Sequence, residues 1–212
     1  MKGQSNQGSN IRWILFDLGN VLVSHIPCGT RKIAGHLGID IDSLHSFLLD
    51  MDASRRLCTG EMDPAAMTAM LNSRFSGRIT PQMIVAWFGP EVENVYPEIP
   101  PLIASLAGRY SLGILSNTFF GHWDYFITTD LARRFKAMLP SHLLGCVKPD
   151  PRIYAESLKR IRAEPAETLF IDDREENVAG ARGAGINAFR SESPADTIRG
   201  LNNIGIRTTE GS

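Results

Sequence analysis

Asp17, the Ser116-Asn117 pair, Lys148 and the Asp172-Asp173 pair are the residues of this sequence whose types and spacing suit chemistry. Asp17 follows the apolar run W-I-L-F and precedes Gly19-Asn20, so its carboxylate sits where a buried strand runs into a tight turn. A carboxylate there can act as nucleophile or metal ligand, and the plainer alternative is a turn cap. Ser116-Asn117 and Asp172-Asp173 end two further apolar runs, and Lys148 lies in a proline-bounded loop, V-K-P-D-P. Asp172-Asp173 could likewise cap a helix, and a lone lysine is ordinarily a solvated surface group. If the runs are parallel strands they share one carboxyl edge, where the groups converge despite their distance in sequence. Carboxylates packed together repel one another unless a hard cation lies among them, and Mg²⁺ suits an all-oxygen set. A phosphoryl group brought there would spread its charge over Mg²⁺, Lys148, the Ser116 hydroxyl and loop amides.

The elements that must position these groups follow from the pattern of apolar residues. Trp13–Phe16, Ser111–Leu115 and Thr168–Ile171 read as strands buried on both faces, with shorter strands at Ala137–Leu139 and Ile186–Phe189. Helices are expected at Leu102–Leu106, around Trp123 and Phe126, from Asp150-Pro151 to about Ile161, from Glu175 to Ala184 with Gly185 closing it, and from Pro194 to Leu201. This alternation predicts an α/β fold, a doubly wound parallel sheet with right-handed crossovers. Between Thr30 and Phe88 helical spacing replaces strands: Ile33 and Leu37; Leu44, Phe47, Leu48 and Met51; Met67, Met70 and Leu71; Met83, Ile84 and Trp87. Asp63-Pro64 and Thr80-Pro81 mark helix starts, so this stretch reads as an inserted α-helical bundle with its own Met- and Phe-rich core. The expected division is an α/β core of residues 11–24 and 97–205, a helical cap of 25–96, and flexible ends at 1–10 and 206–212.

The totals narrow the partners. With 22 basic and 23 acidic side chains among 212 residues, no global charge favours nucleic acid or an anionic membrane. Cys28, Cys58 and Cys146 are widely spaced without a C-x-x-C, which argues against a disulfide framework or a zinc site and fits a reducing, cytoplasmic location. The apolar run after the polar first ten residues is too short for a signal peptide core or a membrane span.

F-D-L-G-N-V-L, L-S-N-T, V-K-P-D-P-R-I-Y and I-D-D-R-E-E-N-V-A-G-A-R, in that order from Trp13 to Phe189, resemble the four motifs of the haloacid dehalogenase (HAD) superfamily. C-T-G-E-M-D resembles the branch whose helical cap is inserted just after the first motif. The resemblance implies a Rossmann-like core and a Mg²⁺-dependent phosphatase acting on a small phosphorylated metabolite. Asp17 would be the nucleophile that becomes an aspartyl-phosphate, working with Lys148; Leu18, Ser116, Asn117 and Lys148 would hold the phosphate. Mg²⁺ would be bound by Asp17, the Gly19 carbonyl and Asp173, with Asp172 reaching it through water. The family's phosphatases usually carry a second Asp, the general acid and base, where this sequence has Gly19. The D-L-G-N-V form resembles bacterial sugar-1-phosphate phosphatases, whose anomeric leaving group needs less proton help. His25, just past the motif, is the candidate substitute or substrate contact, while His122 is expected to pack. Arg55, Arg56 and Glu61 are the cap charges within reach of a substrate or, more plainly, an exposed helix end. The competing readings are a 2-haloacid dehalogenase and a non-catalytic phosphate-binding protein.

Overall fold

The apolar run Trp13–Phe16 forms β1, and the computed structural model, which describes residues 10–24, 28–48, 51–92 and 94–208, places it at the centre of a five-stranded parallel sheet. Its neighbours are β4 (Ser111–Ser116) and β6 (Thr168–Asp172); β5 (Ala137–Pro140) and β7 (Asn187–Arg190) form the edges, in the order β5-β4-β1-β6-β7. The remaining strands, β2 (Val23–Ser24) and β3 (Asn94–Val95), pair antiparallel as a separate ribbon that the sequence did not announce.

A strand with no polar alternation needs cover on both faces. Ile14 and Phe16 pack with residues of α6 (Ile99–Ala107), α7 (Phe120–Phe126) and α11 (Pro194–Asn203). Leu15, between them, points to the opposite face and meets Ile153, Tyr154 and Leu158 of α9 (Pro151–Ile161) and Ala181 of α10 (Glu175–Gly183). The sheet is therefore doubly wound, as expected. Helix α6 begins earlier than the expected Leu102 because Pro100 and Pro101 fall in its first turn, where a missing N–H breaks no helical hydrogen bond. Gly185 closes α10 in the left-handed conformation, φ 80°.

Between β2 and β3 the chain forms α1 (Cys28–Leu37), α2 (Ile41–Leu48), α3 (Met51–Cys58), α4 (Pro64–Phe75) and α5 (Pro81–Phe88). Asp63 accepts a hydrogen bond from the Ala66 N–H at 2.7 Å and Thr80 accepts from Met83 at 3.3 Å, so both anticipated helix starts are side-chain caps. Ile33, Leu44, Leu57, Met67, Leu71, Ile84 and Phe88 form a core of their own. Phe119 and Phe120, which open α7, pack against that core and seat the helical segment beside the end of β4.

Register decides what meets at the carboxyl edge. Phe16 pairs with Ile114 on one side and Ile171 on the other, so Asp17 emerges beside Asp172, and the Asp17 N–H donates to the Ile171 carbonyl at 2.8 Å. From β1 the chain builds outward to β4 and β5, then crosses to β6 and β7. The strand order reverses around β1, where open α/β sheets place their ligands.

Candidate active site

Lys148 is the hub of that edge. It leaves the loop that follows β5 and the short α8 (Ser141–Leu144). Its Nζ lies 2.8 Å from Asp17 Oδ1, 2.6 Å from Asp172 Oδ2 and 2.9 Å from the Leu115 carbonyl. An ammonium has three donors, and all three are taken. Lys148 thus orients both carboxylates, and contact with a phosphoryl oxygen requires it to give up one of these partners.

The loop is held by Asn117, whose Nδ2 donates to the Lys148 carbonyl at 2.9 Å and whose Oδ1 accepts from the Lys148 N–H at 2.8 Å. Each polar end of the Asn117 side chain makes one bond of this clamp, which leaves one Nδ2 hydrogen over. Ser116, at the end of β4, is buried, and its hydroxyl has no partner among the described residues. Leu18 packs in the core.

The carboxylates divide by their partners. Asp172 is fully buried: Oδ2 faces Lys148, and Oδ1 accepts from the Arg174 N–H and the Asn177 Nδ2, both at 2.9 Å. Asn177 is steadied in turn, its carbonyl accepting from the Tyr154 hydroxyl at 2.7 Å. Asp17 keeps 12% of its side chain exposed against none for Asp172, so of the two acids on Lys148 only Asp17 reaches the surface. Asp173 is half-buried and accepts from Asn20 Nδ2 at 3.0 Å.

Oxygens of Asp17, Asp172 and Asp173 lie within 4.8 Å of one another. One ammonium among these acids leaves two negative charges uncompensated. Burial pushes the Asp17 carboxyl up to about 6, against the pull of Lys148 and with a further push from Asp172. Burial weighs against the Lys148 ammonium too, but the two carboxylates outweigh it, raise its pKa and keep it charged. An all-oxygen donor set with two spare negative charges fits a divalent hard cation. The turn's backbone hydrogen bonds use the Leu18 and Val23 carbonyls and, among the described residues, leave the Gly19 carbonyl out, so it too can serve as a ligand.

Asp17, Ser116, Asn117, Lys148, Asp172 and Asp173 all meet at this edge. His25 lies outside the described residues. His122 stacks on Phe119, 4.5 Å between ring centroids, and on Phe88 at 5.7 Å, so it packs as expected. In the cap, Arg55 pairs with Glu61 through Nη2 and Oε2 at 2.9 Å, and Asp52 lies 3.6 Å from Arg55 and 3.9 Å from Arg56, so these charges are engaged with one another. Asn20 was missed in sequence; its only signal was an Asn after Gly in a tight turn. Neither the cavity of about 420 Å³ beside Arg190 and Arg199 nor that of about 830 Å³ beside Asp42 and Arg74 is lined by Asp17, Asp172 or Asp173, so convergence of groups, not depth, defines the site.

A buried lysine bracketed by carboxylates thus lies at the switch point of a doubly wound sheet, the place where α/β proteins bind their ligands. The chain belongs to the haloacid dehalogenase-like hydrolase family, which it matches over residues 11–185. A Porphyromonas gingivalis protein described as a predicted HAD-like family hydrolase superposes with a TM-score of 0.78 at 25% identity, covering 92% of this chain and 98% of that one. A HAD family enzyme of Bacteroides thetaiotaomicron, solved with magnesium and inorganic phosphate, has a TM-score of 0.73 at 22% identity, covering 85% and 93%. Among curated proteins, a glyceraldehyde 3-phosphate phosphatase of Methanopyrus kandleri is 28% identical over 98 residues, which cover 45% of this chain and 42% of that protein. Acyl-CoA dehydrogenase family member 10 of Mus musculus is 25% identical over 216 residues, which cover 92% of this chain but 19% of that protein. The chain thus matches less than half the length of each of these two curated relatives. No described helix is long and apolar enough to cross a membrane.

Proposed function

We propose that this chain is a cytoplasmic, Mg²⁺-dependent phosphatase that hydrolyses a small phosphorylated metabolite, with sugar phosphates the favoured class. The observation that carries the reading is the cluster of Asp17, Asp172 and Asp173 oxygens within 4.8 Å, with Lys148 bridging Asp17 and Asp172. The reading treats residues 11–24 and 97–205 as the catalytic core and 25–96 as the cap that closes over substrate and excludes water. The relative named a phosphatase and the structural neighbour solved with magnesium and phosphate support it. So does the D-L-G-N-V form of the first motif, which resembles sugar-1-phosphate phosphatases.

Lys148 holds one oxygen of Asp17 and so fixes the plane of the only acid of that pair that reaches the surface. Asp17 attacks phosphorus, the ester P–O bond breaks, and an acyl phosphate forms on Asp17. Water then hydrolyses it, releasing phosphate and restoring the carboxylate. The Ser116 hydroxyl, at the end of the neighbouring β4, binds a phosphoryl oxygen. Asp17, the Gly19 carbonyl and Asp173 would hold Mg²⁺, with Asp172 reaching it through water, and the ion would supply charge compensation for the phosphoryl group. Gly19 offers no proton donor, which favours substrates whose leaving group departs with little protonation.

A panel of phosphorylated metabolites assayed with Mg²⁺ and with chelator tests this. Chelator-sensitive phosphate release supports the reading. Release of halide from a 2-haloacid without Mg²⁺ points instead to a dehalogenase, and no turnover across the panel to a binding protein.

A further inference from the structure

Asn20 occupies a conformation that ordinarily favours glycine, with φ 59°. Holding a non-glycine residue there carries a conformational cost, smaller for Asn than for most side chains. Its backbone N–H donates to the Val23 carbonyl at 2.7 Å and closes the turn after β1. That bond asks nothing of the side chain, and glycine would make it without the conformational cost. What glycine lacks is the amide, and here Asn20 Nδ2 reaches Asp173 Oδ2 at 3.0 Å, across 153 positions of sequence.

The two neighbouring acids are held in different ways. Asp172 faces the Lys148 ammonium as well as neutral donors, so its charge is compensated. Among the described residues the Asp173 carboxylate meets only the neutral amide of Asn20. A neutral donor on one oxygen stops the carboxylate rotating, leaves the other oxygen free and cancels none of the charge a cation seeks.

Resting on the proposed Mg²⁺ site, we infer that Asn20 is a positioning residue that aims Asp173 at the divalent ion. It holds the turn after β1 and the end of β6 at a fixed separation. The ligand from one strand is thereby set by a side chain from the other.

The test is Mg²⁺ binding, followed by calorimetry with the metal alone, in the wild-type protein and in Asn20→Gly. Glycine adopts the same φ and keeps the backbone bond to Val23, so the metal-free variant should melt at or slightly above the wild-type temperature. Its Mg²⁺ affinity should fall about 10- to 100-fold, the range for loss of an outer-shell partner. In steady state the Mg²⁺ activation constant should rise while kcat recovers at saturating Mg²⁺. A purely structural role would lower the metal-free melting temperature and leave the affinity alone, and that result overturns the inference. Equal Mg²⁺ affinity in the two proteins overturns it while leaving the proposed function standing. No Mg²⁺ binding by the wild type removes both.

Discussion

The Lys148 ammonium lies 2.8 Å from the Asp17 carboxylate with 1% of the lysine side chain exposed, so that carboxylate is fixed by a buried charge rather than a solvated one. The same ammonium compensates Asp172. Removing it strands two acids at once.

Lys148→Met should therefore cost stability as well as activity. Deleting one partner of a buried ion pair typically destabilises by about 3–5 kcal/mol, because the remaining charge stays buried without compensation. Denaturant unfolding of the metal-free protein measures this. A loss under about 1 kcal/mol would show that the carboxylates are better solvated than their burial indicates.

The metal-free protein should lose stability as pH rises from about 4 to about 6. Burial raises the Asp17 pKa from 3.8 in the unfolded chain to about 6 in the fold, so between those values the native state holds the extra proton. Stability from this group is complete below the lower value and lost through the upper one, a swing of roughly 3 kcal/mol. Asp17→Asn should flatten that window. Because a cation needs the ionised carboxylate, the rise in melting temperature given by Mg²⁺ should be larger near pH 7.5 than near pH 5, roughly speaking.

Gly19→Asp should fit without disturbing the fold, since a Cβ built there meets nothing within 4 Å. The new carboxyl would stand beside the leaving group as a proton donor. Turnover of alkyl phosphates should rise about 10- to 100-fold, the lower part of what a positioned acid supplies, while an aryl phosphate with a good leaving group changes little. Equal effects on both ester types would rule out proton transfer as the deficit.

Much of this site was legible in sequence because its groups end apolar strands buried on both faces, where a run such as Trp13–Phe16 stops at its first charged residue. The caps at Asp63 and Thr80 were legible because a cap and its N–H lie within one turn. Pairing over long distances was not. The β2–β3 ribbon has two residues per strand, too few to show a period, and joins Val23 to Val95. Helix α8 has four residues and no side-chain cap at its start. The Asn117 side chain clamps Lys148 across 31 positions, and Asn20 meets Asp173 across 153. Such contacts depend on side-chain reach between loops, which residue type alone does not encode.

The central claim is that Asp17 attacks phosphorus, and the most direct measurement is turnover of a generic aryl phosphate by Asp17→Asn in saturating Mg²⁺. Asparagine keeps the shape of the side chain and its oxygen beside Lys148 but not the nucleophile. Activity should fall by at least about 10³-fold, the scale on which loss of an attacking group acts, with the fold intact. Turnover within about tenfold of wild type, well short of that scale, would contradict the assignment of Asp17.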